Sequence, residues 1–145
     1  MAASDWEFTD HTADVGLLGR GDTPASAIAA AGAGLFDLMV GHASISETTQ
    51  RRIEVAGYDL TDLLVAFLNE LLYVFEVERD VFARFDVSVT AEGDSLTATG
   101  FGERLDPKRH TVRIGVKAAT HHAAAVEKLT RDGADVWVAR TVLDV

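Results

Sequence analysis

The spacing of the apolar residues changes along the chain, and this change limits the fold more than any other feature. Two segments in the first half repeat apolar residues at helical spacing. The first begins at Thr23 and Pro24, an N-cap residue followed by a proline at the first helical position, and ends at Gly41. The second follows Asp59 as its N-cap, and its apolar stripe runs to Phe75. Both segments are therefore predicted to be α-helices.

From Val81 onward the apolar residues instead alternate with polar ones, which is the pattern of a half-buried strand. The last strand is apolar at even and odd positions alike, which predicts a central strand covered on both faces. Because the order of elements lacks a regular strand-helix-strand alternation, we predict the α+β class, with a mostly antiparallel multi-stranded sheet and two helices packed on one face. The strands are predicted over residues 6–10, 15–18, 51–56, 81–90, 96–100, 112–119, 124–130 and 136–145.

The size of the chain predicts one domain. Its 145 residues match the common size of one domain and leave no room for a second domain. The 48% of hydrophobic residues is enough for one continuous core. Residues 1–145 are therefore expected to form a single domain. No stretch approaches the roughly 18 uninterrupted apolar residues of a membrane-spanning helix. Since residues 1–5 also lack the basic and apolar regions of a secretory signal, we expect a soluble, cytoplasmic protein with no membrane contact.

The composition removes several classes of chemistry. The chain has no cysteine, which excludes disulfides, thiolate metal sites and thiol nucleophiles. No serine or threonine stands with a histidine and a carboxylate in a recognisable nucleophile motif, so no catalytic residue is predicted. The 23 acidic and 13 basic side chains give a formal net charge of -10, which repels nucleic acid phosphates and attracts cations or basic protein surfaces. Any contact with RNA is therefore expected to pass through a partner protein.

Carboxylates stand at two unusual places, a polar bend near the start and the end of the last strand. Asp14 closes the bend over residues 11–14, where a carboxylate either chelates a hard cation or caps backbone N–H groups. Asp144 and Val145 bring a side-chain carboxylate, a main-chain carbonyl and the terminal carboxylate within two residues of each other. The alternative there is a frayed acidic end, against which the apolar run over residues 136–145 argues.

One lysine and two histidines are further candidates for ligand contact. Lys117 lies on the strand predicted over residues 112–119, on the face opposite Val116, where it either neutralises an anionic ligand or is an ordinary solvated lysine. His121 and His122 are adjacent, and adjacent strand residues project to opposite faces. One metal ion therefore cannot readily bind both, and no histidine metal site is predicted.

Five segments together resemble the archease family. The longest covers residues 6–16, WEFTDHTADVG, and is similar to the amino-terminal signature of that family. The sequence departs from the usual pattern at Asp10, where glutamate is common, and at His121, where tyrosine is common. The other matching segments are LFDLM at 35–39, LNELL at 68–72, KAAT at 117–120 and VLDV at 142–145.

The resemblance implies a divalent-cation site. In archeases the aspartate of the segment HTAD and the last two residues bind calcium or a similar divalent ion, so the implied ligands are Asp14, Asp144 and Val145. Calcium is the expected ion, and magnesium and manganese accept the same oxygen ligands. No organic cofactor is implied.

The resemblance also implies a partner. Archeases are accessory proteins of the GTP-dependent RNA ligase that joins 3′-phosphate to 5′-hydroxyl ends in tRNA splicing and RNA repair, and they promote guanylylation and turnover of that ligase. Lys117 is implied as a second functional position, and His11 and Asp10 are expected, like Lys117, to face the partner or to act in activation. An acidic domain without a catalytic motif agrees with docking on a basic ligase surface.

Two other classes of function are left open by the residues themselves. A chaperone-like or scaffold protein would expose an apolar patch and would use any metal ion only to hold the chain terminus in place. An independent metallohydrolase would use His11 or His121 together with the carboxylates, although no motif supports it.

Overall fold

The computed structural model describes residues 4–11 and 14–145, and it confirms the α+β class. Its two long helices are α1 (Pro24–Val40) and α2 (Leu60–Tyr73). A 3₁₀ turn (His42–Ser44) follows α1, and a π-helical turn (Val74–Glu78) follows α2. The strands are β1 (Asp5–His11), β2 (Asp14–Gly21), β3 (Thr49–Ala56), β4 (Asp80–Val89), β5 (Ser95–Arg104), β6 (Ala118–Ala119), β7 (Ala125–Arg131) and β8 (Ala134–Asp144).

All strand pairs in the described chain are antiparallel, and they divide between two sheets where the sequence pattern predicted one. The larger sheet has the order β1-β2-β8-β6, with β7 also paired to β8, and the smaller has the order β3-β5-β4. The alternation of apolar residues along a strand indicates which residues are buried, but it does not indicate which other strand pairs with it. β8 pairs with β2 on one side and with β6 and β7 on the other, so the prediction of a central last strand is confirmed.

Helix α1 begins and ends where its capping residues predict. The Thr23 hydroxyl accepts a hydrogen bond from the Ser26 N–H at 3.0 Å, and the Ser26 hydroxyl accepts one from the Thr23 N–H at 3.0 Å. This reciprocal arrangement satisfies donors that the first turn of a helix leaves unpaired. Gly41 ends the helix with φ of 76°, a conformation that glycine adopts without steric cost.

Helix α1 packs between the two sheets, and its glycines permit the close approach. A Cβ at Gly34 would lie 2.8 Å from Trp6 and 2.9 Å from Leu17, both in the larger sheet. A Cβ at Gly32 would lie 2.9 Å from the ring of Phe67 on α2 and 3.0 Å from that of Phe85 in the smaller sheet. These glycines are therefore packing residues, as the absence of a phosphate-binding motif around them indicates.

A single hydrophobic core joins both helices and both sheets. The Phe36 ring on α1 meets the Phe82 ring edge-on with 5.4 Å between centroids, and Phe67 on α2 meets Phe85 in the same way at 5.3 Å. Edge-to-face aromatic pairs of this kind add stability beyond their buried area. Helix α2 is capped by Asp59, whose side chain accepts a hydrogen bond from the Asp62 N–H at 2.8 Å, and its predicted buried stripe is confirmed.

The prediction of a strand over residues 112–119 is wrong for most of that range. Only Ala118 and Ala119 pair with β8, and the preceding residues follow an irregular path. The Arg113 N–H donates to the Met39 carbonyl at 2.7 Å, and the Arg113 guanidinium donates to the Asp37 carbonyl. The end of α1 thus accepts the Arg113 N–H, which a neighbouring strand would accept in a regular ladder.

Among the described residues, no helix has the length and apolar character needed to cross a lipid bilayer.

Candidate functional site

The two aspartates singled out in the sequence face each other across β2 and β8. Asp14 is the first residue of β2, Asp144 is the last residue of β8, and the two are direct register partners. Residues directly opposite in an antiparallel pair project to the same face, with Cβ atoms roughly 4.5–5.5 Å apart. The fold therefore brings two carboxylates from opposite ends of the sequence to one place, which we call the acid pair.

The acid pair has no positive partner among the described side chains. Neither Asp14 nor Asp144 lies within ion-pair distance of a described lysine, arginine or histidine. Asp14 is half-buried and Asp144 is exposed. Like charges directly opposite each other destabilise a sheet, so the pair costs folding free energy unless a cation neutralises it. An opposed pair at the end of a central strand is therefore a feature that the fold alone does not explain.

The acid pair alone does not make a complete metal cage. In the parts of the chain that the structure describes, no group of three or more His, Asp or Glu side chains is close enough to hold an ion. A bound cation would therefore take further oxygens from the main chain, from water or from a partner. Val145 directly follows Asp144, so its main-chain oxygens lie next to the acid pair in sequence. The donor set is thus all oxygen, which suits a hard divalent cation.

Two further predicted positions, Asp10 and His11, lie in β1 next to the start of β2. His11 is the register partner of Asp14 across β1 and β2, and Asp10 is the partner of Val15. This pairing places both predicted partner-facing positions at the same end of the larger sheet as Asp14. Residues 12 and 13, the tip of the predicted bend, lie outside the described residues.

The backbone of Lys117 is hydrogen-bonded to a member of the acid pair. Its N–H donates to the Asp144 carbonyl at 2.7 Å, immediately before β6 begins. Its side chain is exposed and lines an open groove together with Tyr73 and Glu76 of the α2 segment. No described carboxylate lies within ion-pair distance of the Lys117 ammonium group. A cationic side chain is therefore free to meet an anion close to the acid pair.

Sequence reasoning missed one residue beside the site, Asn69. This half-buried residue of α2 makes two hydrogen bonds to the main chain of Ala119, one from each end of its carboxamide. The available signal was a polar side chain within the leucine-rich segment LNELL, at a position next to the buried stripe of α2. The pattern could not indicate a partner in a distant strand.

The hydrogen bonds of the two candidate histidines join residues outside the acid pair. His121 Nε2 is 2.9 Å from a carboxylate oxygen of Asp62, and both residues are at least partly exposed. The pKa of Asp62 is lowered, first by the hydrogen bond from the Tyr58 N–H and then by the contact with His121. The His122 N–H donates to the Thr120 hydroxyl at 3.2 Å. Within the described residues, neither histidine joins a group of metal ligands.

A buried polar cluster surrounds Glu103, apart from the acid pair, and has a structural role. The Ser46 N–H donates to the Glu103 carboxylate at 2.8 Å, His110 Nε2 lies 2.9 Å from it, and Arg109 also donates to it. Burial raises the pKa of Glu103, but these donors outweigh burial, so that the pKa is lowered overall. His110 Nδ1 accepts the Asp106 N–H at 2.8 Å, which places the ring proton on Nε2, facing Glu103. The cluster ties the start of the irregular segment to the smaller sheet.

The fold and the acid pair together define a class, a small α+β protein that presents two opposed carboxylates at the end of its larger sheet. Residues 6–145 match the Archease protein family. The chain therefore belongs to the archease family.

Individual relatives agree with this assignment over nearly the whole chain. The chain is 41% identical to protein archease of Pyrococcus abyssi over 142 residues, which cover 97% of this chain and 98% of that protein. It is 34% identical to protein archease of Methanosarcina mazei over 143 residues, covering 97% and 95%. Among solved structures, protein 1598 of Methanobacterium thermoautotrophicum has a TM-score of 0.78 at 30% identity, covering 97% of this chain and 98% of that one.

Proposed function

We propose that this chain is an accessory activator of the GTP-dependent RNA ligase that joins 3′-phosphate to 5′-hydroxyl RNA ends. In this role it promotes ligase guanylylation and multiple turnover, and it has no catalytic residue of its own. The observation that carries the proposal is the acid pair, because two carboxylates held opposite each other, without a cationic partner among the described side chains, concentrate negative charge at the surface. Membership of the archease family supports the choice of partner.

The proposed cation ligands are Asp14, Asp144 and Val145. Calcium commonly takes 6–8 oxygen ligands, so two carboxylates and a main-chain oxygen leave several coordination positions for water or for a partner's oxygens. Magnesium and manganese are the alternative occupants. When bound, the ion would supply positive charge for phosphate oxygens. The acid pair would hold it at the end of a rigid central strand, where β8 is fixed on both sides.

The charge of the chain supports docking on a protein surface. A net charge of -10 disfavours direct contact with RNA and favours approach to a basic surface. Lys117 adds an exposed cation near the acid pair, so the site offers both signs of charge to the ligase. The proposed partner-facing set is Lys117 with His11 and Asp10, and the cytoplasm is the proposed location.

The test is multiple-turnover ligation by the cognate ligase with and without this protein. Wild-type protein should raise the number of turnovers, and Asp14→Asn and Asp144→Asn should abolish the increase, because each removes one charge of the acid pair. Asp132→Asn is the matched control, since Asp132 is an exposed aspartate in the turn between β7 and β8. Unchanged stimulation by both acid-pair variants would refute the proposal.

A purely structural ion is the competing account, and the position of the acid pair gives it a physical basis. Asp14 and Asp144 join the start of β2 to the end of β8, so an ion there would also hold the end of the sheet together. Under this account Lys117→Ala would leave stimulation intact, because the ion would act only on the fold. Under the proposed function, Lys117→Ala reduces stimulation without changing the melting temperature.

A further inference from the structure

Strand β6 is too short for its ladder hydrogen bonds alone to fix its position. It consists of Ala118 and Ala119, and among the described strands it pairs only with β8. The flanking residues add the Lys117 N–H bond to the Asp144 carbonyl at 2.7 Å and a Thr120 hydroxyl bond to the Val142 carbonyl at 2.8 Å. β6 is shorter than the roughly 3–10 residues of an ordinary strand, and its side away from β8 has no strand partner among the described residues, so the main-chain groups on that side need another partner.

Asn69 supplies that constraint on the side of β6 that faces α2. Its Oδ1 accepts the Ala119 N–H at 2.9 Å, and its Nδ2 donates to the Ala119 carbonyl at 3.0 Å. A carboxamide that both donates to and accepts from one residue reproduces the hydrogen bonds of a neighbouring strand. Ala119 is only 4% exposed, so without Asn69 both of its main-chain groups would be buried and unpaired.

We propose that Asn69 is a positioning residue of the candidate site, acting through β6 on Lys117 and Asp144. The Asn69 carboxamide fixes Ala119, Ala119 fixes the register of β6 against β8, and that register sets the bond from the Lys117 N–H to the Asp144 carbonyl. Asn69 touches neither the acid pair nor Lys117 through a hydrogen bond of its own. The functional part of this inference rests on the proposed cation site.

The residue type matters because asparagine alone fits both bonds at this length. Asn69→Leu keeps the branched shape and the number of side-chain heavy atoms and removes both bonds. Asn69→Asp keeps the acceptor for the Ala119 N–H but turns a second oxygen towards the Ala119 carbonyl, where the two acceptors repel each other. The Asp variant is therefore expected to show the same defect as the Leu variant in a weaker form. Tyr73→Ala is the control, since Tyr73 lines the same groove and is exposed.

Amide hydrogen exchange without added metal tests the positioning directly. In Asn69→Leu the Lys117 and Ala119 amides should exchange at least about tenfold faster, while core amides such as that of Leu64 keep their wild-type rates. The Lys117 amide is the informative one, because the substitution leaves its own acceptor on Asp144 in place. Tyr73→Ala should leave both rates unchanged. Wild-type exchange of the Lys117 amide in both Asn69 variants would overturn the inference.

Calcium titration by calorimetry then tests the link to the site. Residues that orient metal ligands typically contribute 10–100-fold to affinity, so Asn69→Leu should weaken calcium binding about tenfold, Asn69→Asp less, and Tyr73→Ala not at all. Equal calcium affinity in wild type and Asn69→Leu would overturn the positioning role. If wild-type protein binds no divalent cation, the proposed function fails instead, and the exchange rate of the Lys117 amide still decides whether Asn69 positions this segment. Should Asn69→Leu not fold, the Asp variant decides both measurements.

Discussion

Neutralising one member of the acid pair should have opposite effects on stability in the absence and in the presence of calcium. Asp14→Asn replaces a charged carboxylate by a neutral group of the same shape, directly opposite Asp144. Two unit charges about 5 Å apart repel by roughly 0.8 kcal/mol in bulk water, and cross-strand pairs generally contribute about 0.2–1 kcal/mol. We therefore expect the metal-free variant to be more stable than wild type by up to about 1 kcal/mol.

With calcium present the order should reverse. An ion that binds only the folded state at 100 times its dissociation constant stabilises that state by about 2.7 kcal/mol. For a chain of this size each 1 kcal/mol shifts the melting temperature by about 3 °C. Thermal unfolding should thus show wild type gaining about 8 °C with saturating calcium, while Asp14→Asn melts up to about 3 °C above wild type without the ion and gains nothing from it.

The same experiment separates the two roles considered for Asp14. If its carboxylate only caps backbone N–H groups, Asp14→Asn should lower metal-free stability, since a cap substitution removes a charge-assisted hydrogen bond. A metal-free melting temperature below that of wild type, together with an unchanged calcium shift, would show that the Asp14 carboxylate caps the backbone and does not bind the ion. Asp132→Asn, at an exposed turn, should behave as wild type in both conditions.

Three further results are expected from the core and the buried polar cluster. Glu103→Gln should lower the unfolding free energy by about 2 kcal/mol in chemical denaturation, because it weakens charge-assisted bonds to Arg109 and the Ser46 N–H; an unchanged midpoint contradicts this. Because the pKa of Glu103 in the folded protein is lowered from 4.5, the Glu103 carboxylate takes up a proton in the unfolded chain before it does so in the folded chain as the pH falls. The difference in unfolding free energy between wild type and Glu103→Gln should therefore hold at neutral pH and shrink as the pH falls below 4.5. Gly34→Ala should lower the unfolding free energy by about 1–3 kcal/mol, since the added Cβ would lie 2.8 Å from Trp6. An equal or greater unfolding free energy would show that β1 can shift to accommodate the methyl group.

Local sequence signals were sufficient for the helices and for the central strand. The caps Thr23 and Asp59 act through residues three positions away, so their effect is visible in the sequence itself. The two-sided apolar pattern of residues 136–145 likewise predicts a strand covered on both faces, which agrees with the burial pattern of β8. Such features depend on burial and on short-range hydrogen bonds, which the order of residues encodes directly.

Features that depend on distant partners were not accessible in the same way. The alternation around Val112 and Val116 predicted a strand, yet Val112 is 47% exposed and Arg113 bonds to the end of α1. The division into two sheets also follows from pairing between remote strands. Similarly, no local rule connects Asn69 to Ala119, because the bonds join a side chain to a main chain 50 residues away.

The site was predicted in part, and the reason is again distance along the chain. The residue types of the bend and of the acidic end each indicate a cation ligand, but the pairing of Asp14 with Asp144 is a property of the β2–β8 register. In the sequence, only the resemblance to the archease family joins the two aspartates. The sequence predicts Lys117 on a regular strand, whereas it lies just before β6, where its backbone bonds to Asp144.

If Asp14, Asp144 and Val145 share a divalent cation, long-wavelength anomalous diffraction from crystals grown in calcium should locate it. One anomalous peak is expected beside the acid pair, at about 2.3–2.6 Å from carboxylate oxygens of both aspartates and from a main-chain oxygen of Val145. Calcium peaks only at other places, with none beside the acid pair at saturating calcium, would refute the shared cation site.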